Sequence, residues 1–159
     1  MRNKMQGKGK ALLVFLIPLL LFLSACVPQP EKIAYGTDGC HFCSMTIVDK
    51  IHGAEIVTEK GKVFKFDAVE CMINQLKETD TATISLFLVN HYERPEAFID
   101  ATKASFLISE NLPSPMGAFL TAFEDRAEGE RIKAKEGGQL YTWKEILSKL
   151  NSKHVPDLP

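Results

Sequence analysis

Ala54-Glu55-Ile56-Val57-Thr58, Glu59-Lys60-Gly61 and Lys62-Val63-Phe64-Lys65-Phe66 follow one another without interruption. The first and third stretches alternate and are rich in Val, Ile and Phe, and the second carries a turn glycine, so together they predict a β-hairpin. Asp67-Ala68-Val69-Glu70 follows with the acid-x-x-Glu spacing of a capping box, which satisfies orphaned N–H groups at a helix start. Val69, Met72, Ile73 and Leu76 then recur at i, i+3, i+4, i+7 and predict a helix with one face in the core. Ile84-Ser85-Leu86-Phe87-Leu88-Val89 is apolar almost throughout and reads as a central strand covered on both faces.

The same plan recurs downstream. Ala118-Phe119-Leu120-Thr121-Ala122-Phe123 reads as a strand, the charged run Glu124 to Arg131 as a solvated turn, and Glu136-Gly137-Gly138 as a turn into the return strand Gln139-Leu140-Tyr141. Thr142-Trp143-Lys144-Glu145 is a second capping box, and Trp143, Ile146, Leu147 and Leu150 form a second helical stripe. Between the halves, Ala97 to Ala101 reads as a strand and Thr102 to Leu112 as a link. The expected fold is α+β, with two related ββαβ modules in tandem over residues 34–92 and 93–150, and a flexible tail at 151–159. Matching the modules places Ser114-Pro115-Met116 opposite Cys43-Ser44-Met45, each methionine just ahead of its module's first strand.

Residues 1–25 carry Arg2, Lys4, Lys8 and Lys10, no acid, and an apolar run from Ala11 to Leu23 broken by Pro18. That is the pattern of a signal peptide, and its apolar core falls short of the about 20 residues a membrane span needs. It ends in Leu23-Ser24-Ala25-Cys26, which matches the bacterial lipobox pattern and implies cleavage before Cys26 and lipidation of its sulfur. Residues 26–33, with Pro28 and Pro30, then form a tether to the membrane anchor. Loss of the leader removes four of 19 basic residues and none of the 20 acids, leaving a net charge of −5 that makes nucleic acid a poor partner.

With Cys26 assigned to lipid, Cys40, Cys43 and Cys71 remain, an odd number that a disulfide framework does not consume. Three chemistries compete for Gly39-Cys40-His41-Phe42-Cys43-Ser44-Met45. A thioredoxin-like dithiol needs its first thiol at a helix N-terminus, whereas Thr46-Ile47-Val48 prefers strand. Structural zinc would join Cys40, Cys43 and Cys71 to a distant histidine such as His91. Cu(I) accepts thiolate and thioether together, and an extended Cys43-Ser44-Met45 would put both sulfurs on one face. By default Met72 is core, Cys71 a buried small hydrophobe, His52 and His154 solvent-facing, and His91 structural. No nucleophile–base pair, phosphate loop or paired-carboxylate motif stands out, so an enzyme is the weaker reading.

The lipobox, Gly39-x-x-x-Cys43-x-Met45, Gly61-Lys62 leading to Phe66-Asp67 and Cys71-Met72, and Ser114-Pro115-Met116-Gly117 occur in that order. In these motifs the chain resembles the NosL family, copper-binding accessory lipoproteins of nitrous oxide reductase assembly. The resemblance spans nearly all of the chain after the leader. It implies two ββαβ modules similar to part of organomercurial lyase, an extracytoplasmic lipoprotein, and delivery of Cu(I) to the copper-sulfide centre of apo nitrous oxide reductase. A membrane transporter or another copper donor would load it. Cys43 and Met45 would be ligands from the first module and Met116 from the second, with His41 and Cys40 as secondary candidates. The alternatives are a structural-zinc lipoprotein and a general copper-trafficking module unrelated to nitrous oxide reduction; organomercurial cleavage would need more than a shared fold.

Overall fold

The computed structural model describes residues 27–152. The signal peptide, the lipidation site at Cys26, His154 and the rest of the tail from 153 onward lie outside the described residues. Seven strands and three helices follow in the order β1 (Ala54–Thr58), β2 (Val63–Phe66), α1 (Val69–Leu76), β3 (Ile84–His91), β4 (Arg94–Asp100), β5 (Ser105–Ile108), β6 (Leu120–Phe123), α2 (Arg126–Glu136), β7 (Gln139–Thr142) and α3 (Trp143–Ser152), with a 3-10 turn at Thr81–Thr83. The predicted hairpin forms, with Ala54 opposite Phe66 and Val57 opposite Val63. Two antiparallel sheets result, β2-β1-β3-β4 and β6-β5-β7. The α+β class and the two sheets in tandem are as expected.

The repeat is present, but shifted by one element from its expected alignment. The segment 102–112, expected as a link, contains β5, which is the middle strand of the second sheet. The corresponding units are therefore β1-β2-α1-β3 and β5-β6-α2-β7, and the strand at Ala97 to Ala101 belongs to β4, paired with β3 in the first sheet. Ser105-Phe106-Leu107-Ile108 hides in the sequence because it is short and buried on both faces, leaving no alternation to read. Nor is Glu124 to Arg131 a turn: α2 begins at Arg126, capped by Asp125, whose side chain accepts from Glu128 N at 2.9 Å. Of its residues only Gly129 and Ile132 are buried, so no apolar stripe announces it. Met116 thus lies in the β5–β6 connection and is not the counterpart of Met45.

The two capping boxes have opposite outcomes. At α3 the box forms, with Thr142 N to Glu145 Oε2 at 2.7 Å and Glu145 N to Thr142 Oγ1 at 3.4 Å. At α1 the N-cap is Ala68 and no side chain caps it. Asp67 and Glu70 are each 2% exposed. Glu70 instead accepts hydrogen bonds from the Ser114 hydroxyl and, at 3.3 Å, from Ala118 N, so a tertiary contact has replaced the local one. Strand β3 is central, as expected, yet its middle is only half covered: Ser85 is exposed and Leu86, Phe87 and Leu88 are half-buried.

One core joins both units. Ile47, Ile56, Phe66, Met72 and Ile73 from the first unit pack with Phe106, Leu120 and Ile146. Trp143 spans the two sheets, its ring 6.0 Å from Phe87 of β3 and 5.7 Å from Phe106 of β5. Leu107, Phe123, Ile132 and Leu140 form a smaller cluster between the second sheet and α2. Polar ties reinforce the junction. His52, expected to face solvent, is 3% exposed, its Nδ1 2.9 Å from Asp49 Oδ2 and its Nε2 3.3 Å from Thr121 Oγ1 in β6. Among the described residues no helix is long and apolar enough to cross a membrane.

Candidate metal centre

The Cys40–Met45 segment is a turn, not an extended strand. Gly39 bridges Thr46, Cys40 N donates to Met45 O at 2.8 Å, and Ser44 N donates back to Cys40 O at 2.9 Å. Ser44 takes φ of 63°, the left-handed conformation, so Cys43 and Met45 do not share a strand face as alternation would have required. His41 N donates to Lys65 O at 2.8 Å, fastening the turn to β2. The His41 ring lies 4.5 Å from that of Phe64.

This turn carries two thiols to the first turn of α1, where Cys71 supplies a third. The Sγ atoms of Cys40, Cys43 and Cys71 all lie within 4.8 Å of one another, and all three thiols are free. Cys40 is 3% exposed and Cys71 fully buried, while Cys43 is half-buried. The Cys71 S–H directed at Cys40 holds the Cys40 thiol well below its usual range, and N–H groups of Cys43, Asp67 and Phe42 also stabilise that thiolate. Cys71, as donor to that sulfur and buried, is pushed up. Burial likewise raises Cys43. Asp67 and Glu70 are raised by burial, and a charged Cys40 raises Asp67 further.

Large apolar side chains are exposed on the segment that carries Cys40 and Cys43. Phe42, Met45 and Val48 are 40%, 53% and 65% exposed. Met116 is half-buried against the core cluster that includes Cys40 and Cys71, in the loop that Glu70, the neighbour of Cys71, holds through Ser114 and Ala118. The sequence reading grouped Cys71 with Cys40 and Cys43 only under structural zinc and otherwise left it as packing; the odd thiol count was its signal, whereas the Glu70 tie has no local signal.

His91 does not join the thiols. Its Nδ1 accepts from Glu93 N at 3.1 Å and Arg94 N at 3.0 Å, which leaves Nε2 to carry the proton and donate to Glu128 Oε2 at 2.8 Å. Both ring nitrogens are committed to the β3–β4 turn and α2. His91, Glu124 and Glu128 do lie close together, but a cation on Nε2 would force the Nδ1 proton against two N–H donors. The histidine is structural. Among the described residues no histidine or carboxylate joins the three thiols as a mutual neighbour, so a Cys₃His zinc cage with His91 is not formed.

A family model described as NosL matches residues 33–150. "Copper-binding lipoprotein NosL" of Stutzerimonas stutzeri is 27% identical over 125 residues, 73% of this chain and 66% of that relative, so the match spans just under two thirds of the relative's length. The crystal structure of the copper chaperone NosL from Shewanella denitrificans aligns with a TM-score of 0.65 and 23% identity, covering 75% of this chain and 96% of that one. The latter likeness establishes a common fold.

Proposed function

The chain belongs to the NosL family, and from that premise we propose that it is an extracytoplasmic, membrane-anchored lipoprotein that carries Cu(I) as cargo for the copper-sulfide centre of nitrous oxide reductase. The observation that carries this reading is the convergence of three sulfurs beneath an exposed apolar rim. Cu(I) favours low-coordinate sulfur donors, and a site without a fourth hard ligand suits it better than tetrahedral zinc. The description of the curated relative as a copper-binding lipoprotein supports both the cargo and the anchor at Cys26.

In this reading Cys43, the most accessible of the three thiols, is the anchoring thiolate. Met45 beside it and Met116 from the second unit are thioether ligands, Cys40 and Cys71 offer thiolates from beneath, and His41 is a secondary ligand. An open, exchangeable site is what a carrier needs, because an incoming partner can replace ligands one at a time. Phe42 and Val48, exposed beside it, are suited to a partner's docking surface. The partners are a membrane transporter or other copper donor and the apo reductase.

The test is an anaerobic competition titration of the fully reduced chain in detergent with Cu(I) and separately with Zn(II), comparing wild type with Cys43→Ser. Tight binding of copper over zinc, lost on substitution, is expected; preference for zinc would refute the cargo. Copper-loaded chain added to copper-free nitrous oxide reductase should restore the reductase's activity. Failure to do so, with Cu(I) binding intact, would leave a general copper carrier.

A further inference from the structure

We propose that in the metal-free protein Cys40 and Cys43 are closed into a disulfide by exchange with a protein disulfide, which takes up the two electrons and two protons and departs as a dithiol, and that the bond is opened by the reverse exchange at Cys43 with a protein dithiol reductant. The two cysteines bracket one turn. Ser44 N bonds to Cys40 O at 2.9 Å, and Cys43 N lies 3.5 Å from Cys40 Sγ, so the Cys40 side chain already points into the turn toward Cys43. Turn ends of this kind approach to under about 7 Å between Cα atoms, which overlaps the span of roughly 4.4–6.8 Å that a disulfide requires. Rotation of two side chains is enough to join them.

Exposure fixes the direction of exchange. Cys40 and Cys71 are buried, so an external thiolate reaches only the Cys43 sulfur. In reduction, one thiolate of the reductant attacks Cys43 Sγ, a mixed disulfide forms there, and the Cys40–Cys43 bond breaks with its electron pair leaving on Cys40. The leaving sulfur has Cys71 Sγ within 4.8 Å and accepts from Cys43 N at 3.5 Å. The reductant's second thiol then attacks its own half of the mixed disulfide and releases Cys43. Two electrons and two protons pass from the dithiol to the protein, and the reductant departs as a disulfide. Cys71 acts as the hydrogen-bond donor to the leaving group. A bond to Cys71 would be buried on both sides and closed to any partner.

An odd set of three thiols thereby resolves into an exchangeable pair and a supporting donor. Taken with the copper reading, on which this consequence rests, disulfide and metal exclude each other, so loading must follow a two-electron reduction.

The test uses the full chain in detergent with a metal chelator, equilibrated against dithiothreitol mixtures of graded oxidation, blocked with iodoacetamide, digested with trypsin and read by mass spectrometry. Peptide 33–50 holds both Cys40 and Cys43, and Cys71 lies in peptide 66–77. Oxidising mixtures should give the first peptide lighter by two hydrogens and unalkylated, with Cys71 alkylated. In Cys43→Ser that internal bond should be lost; in Cys71→Ala it should persist, with half-reduction needing about a tenfold higher ratio of reduced to oxidised dithiothreitol, the worth of one hydrogen bond to a charged sulfur. Full alkylation of all three thiols in the most oxidising mixture, or any disulfide that contains Cys71 or links two chains in place of the Cys40–Cys43 bond, would overturn the proposal. No metal enters this readout, so it stands or fails apart from the copper titration.

Discussion

Glu55 is the charged group whose burial can be weighed most directly. It lies on β1 between β2 and β3 and is fully buried. Its Oε1 accepts from Glu31 N at 3.0 Å, and Oε2 has no partner. Burial pushes its carboxyl from the usual 4.5 up to about 7, against the opposing pull of Lys65, its cross-strand neighbour. At low pH the carboxyl is protonated in folded and unfolded chains alike, and its burial carries no ionisation penalty. Between 4.5 and about 7 the unfolded chain ionises while the folded chain keeps its proton, so stability falls as pH rises; above about 7 the loss is complete. At 1.36 kcal/mol per pKa unit the total is about 3 kcal/mol. Glu55→Gln keeps the shape of the protonated acid and cannot ionise. The expected result is near-equal stability of variant and wild type at pH 4 and a variant more stable by about 3 kcal/mol at pH 8. Urea unfolding followed by fluorescence of Trp143, the single tryptophan, measures both. Asp67 and Glu70, also raised by burial, are common to both chains and cancel in the difference. A gap that stays constant from pH 4 to pH 8 would refute the reasoning.

Three further outcomes follow from the geometry. Met116→Leu conserves volume and should cost under about 1.5 kcal/mol in urea while weakening Cu(I) about tenfold or more in competition titration; unchanged affinity would remove the second unit from the ligand set. Gly138→Ala should cost more than about 3 kcal/mol, since φ is +95° and an added Cβ would stand 2.2 Å from Ile108 O; Gly61→Ala, at φ +77° with nothing within 4 Å, should cost about 1–2 kcal/mol in the same assay. His52→Ala should cost about 1–3 kcal/mol, because it removes the ring that links Asp49 Oδ2 to Thr121 Oγ1 at the junction of the two units; a thermal midpoint equal to wild type would show that the junction does not depend on it.

What could be read from the sequence was what local pattern encodes. The hairpin at Ala54 to Phe66 and the α3 stripe are set by alternation and by i, i+3, i+4 spacing, and both are present. β5 and α2 escaped because burial on both faces erases alternation in one and a nearly all-polar surface erases the stripe in the other. At the candidate metal centre local reasoning made Cys43-Ser44-Met45 extended, and only the fold puts Ser44 in a left-handed conformation. Cys71 lies far along the chain from Cys40, and nothing local connects them. Glu70 was assigned to a cap because sequence spacing cannot reveal that Ser114 and Ala118 would compete for it.

The one-element shift of the repeat bears on stoichiometry. In the first unit the chain ahead of the opening strand forms the thiol turn; in the second unit the corresponding stretch is β4, already hydrogen-bonded as the edge of the first sheet. A duplicated architecture would ordinarily offer two equivalent seats. Here the second seat's backbone has been conscripted to finish the neighbouring sheet, so the internal symmetry ends where the chemistry begins, and each chain is expected to carry one ion.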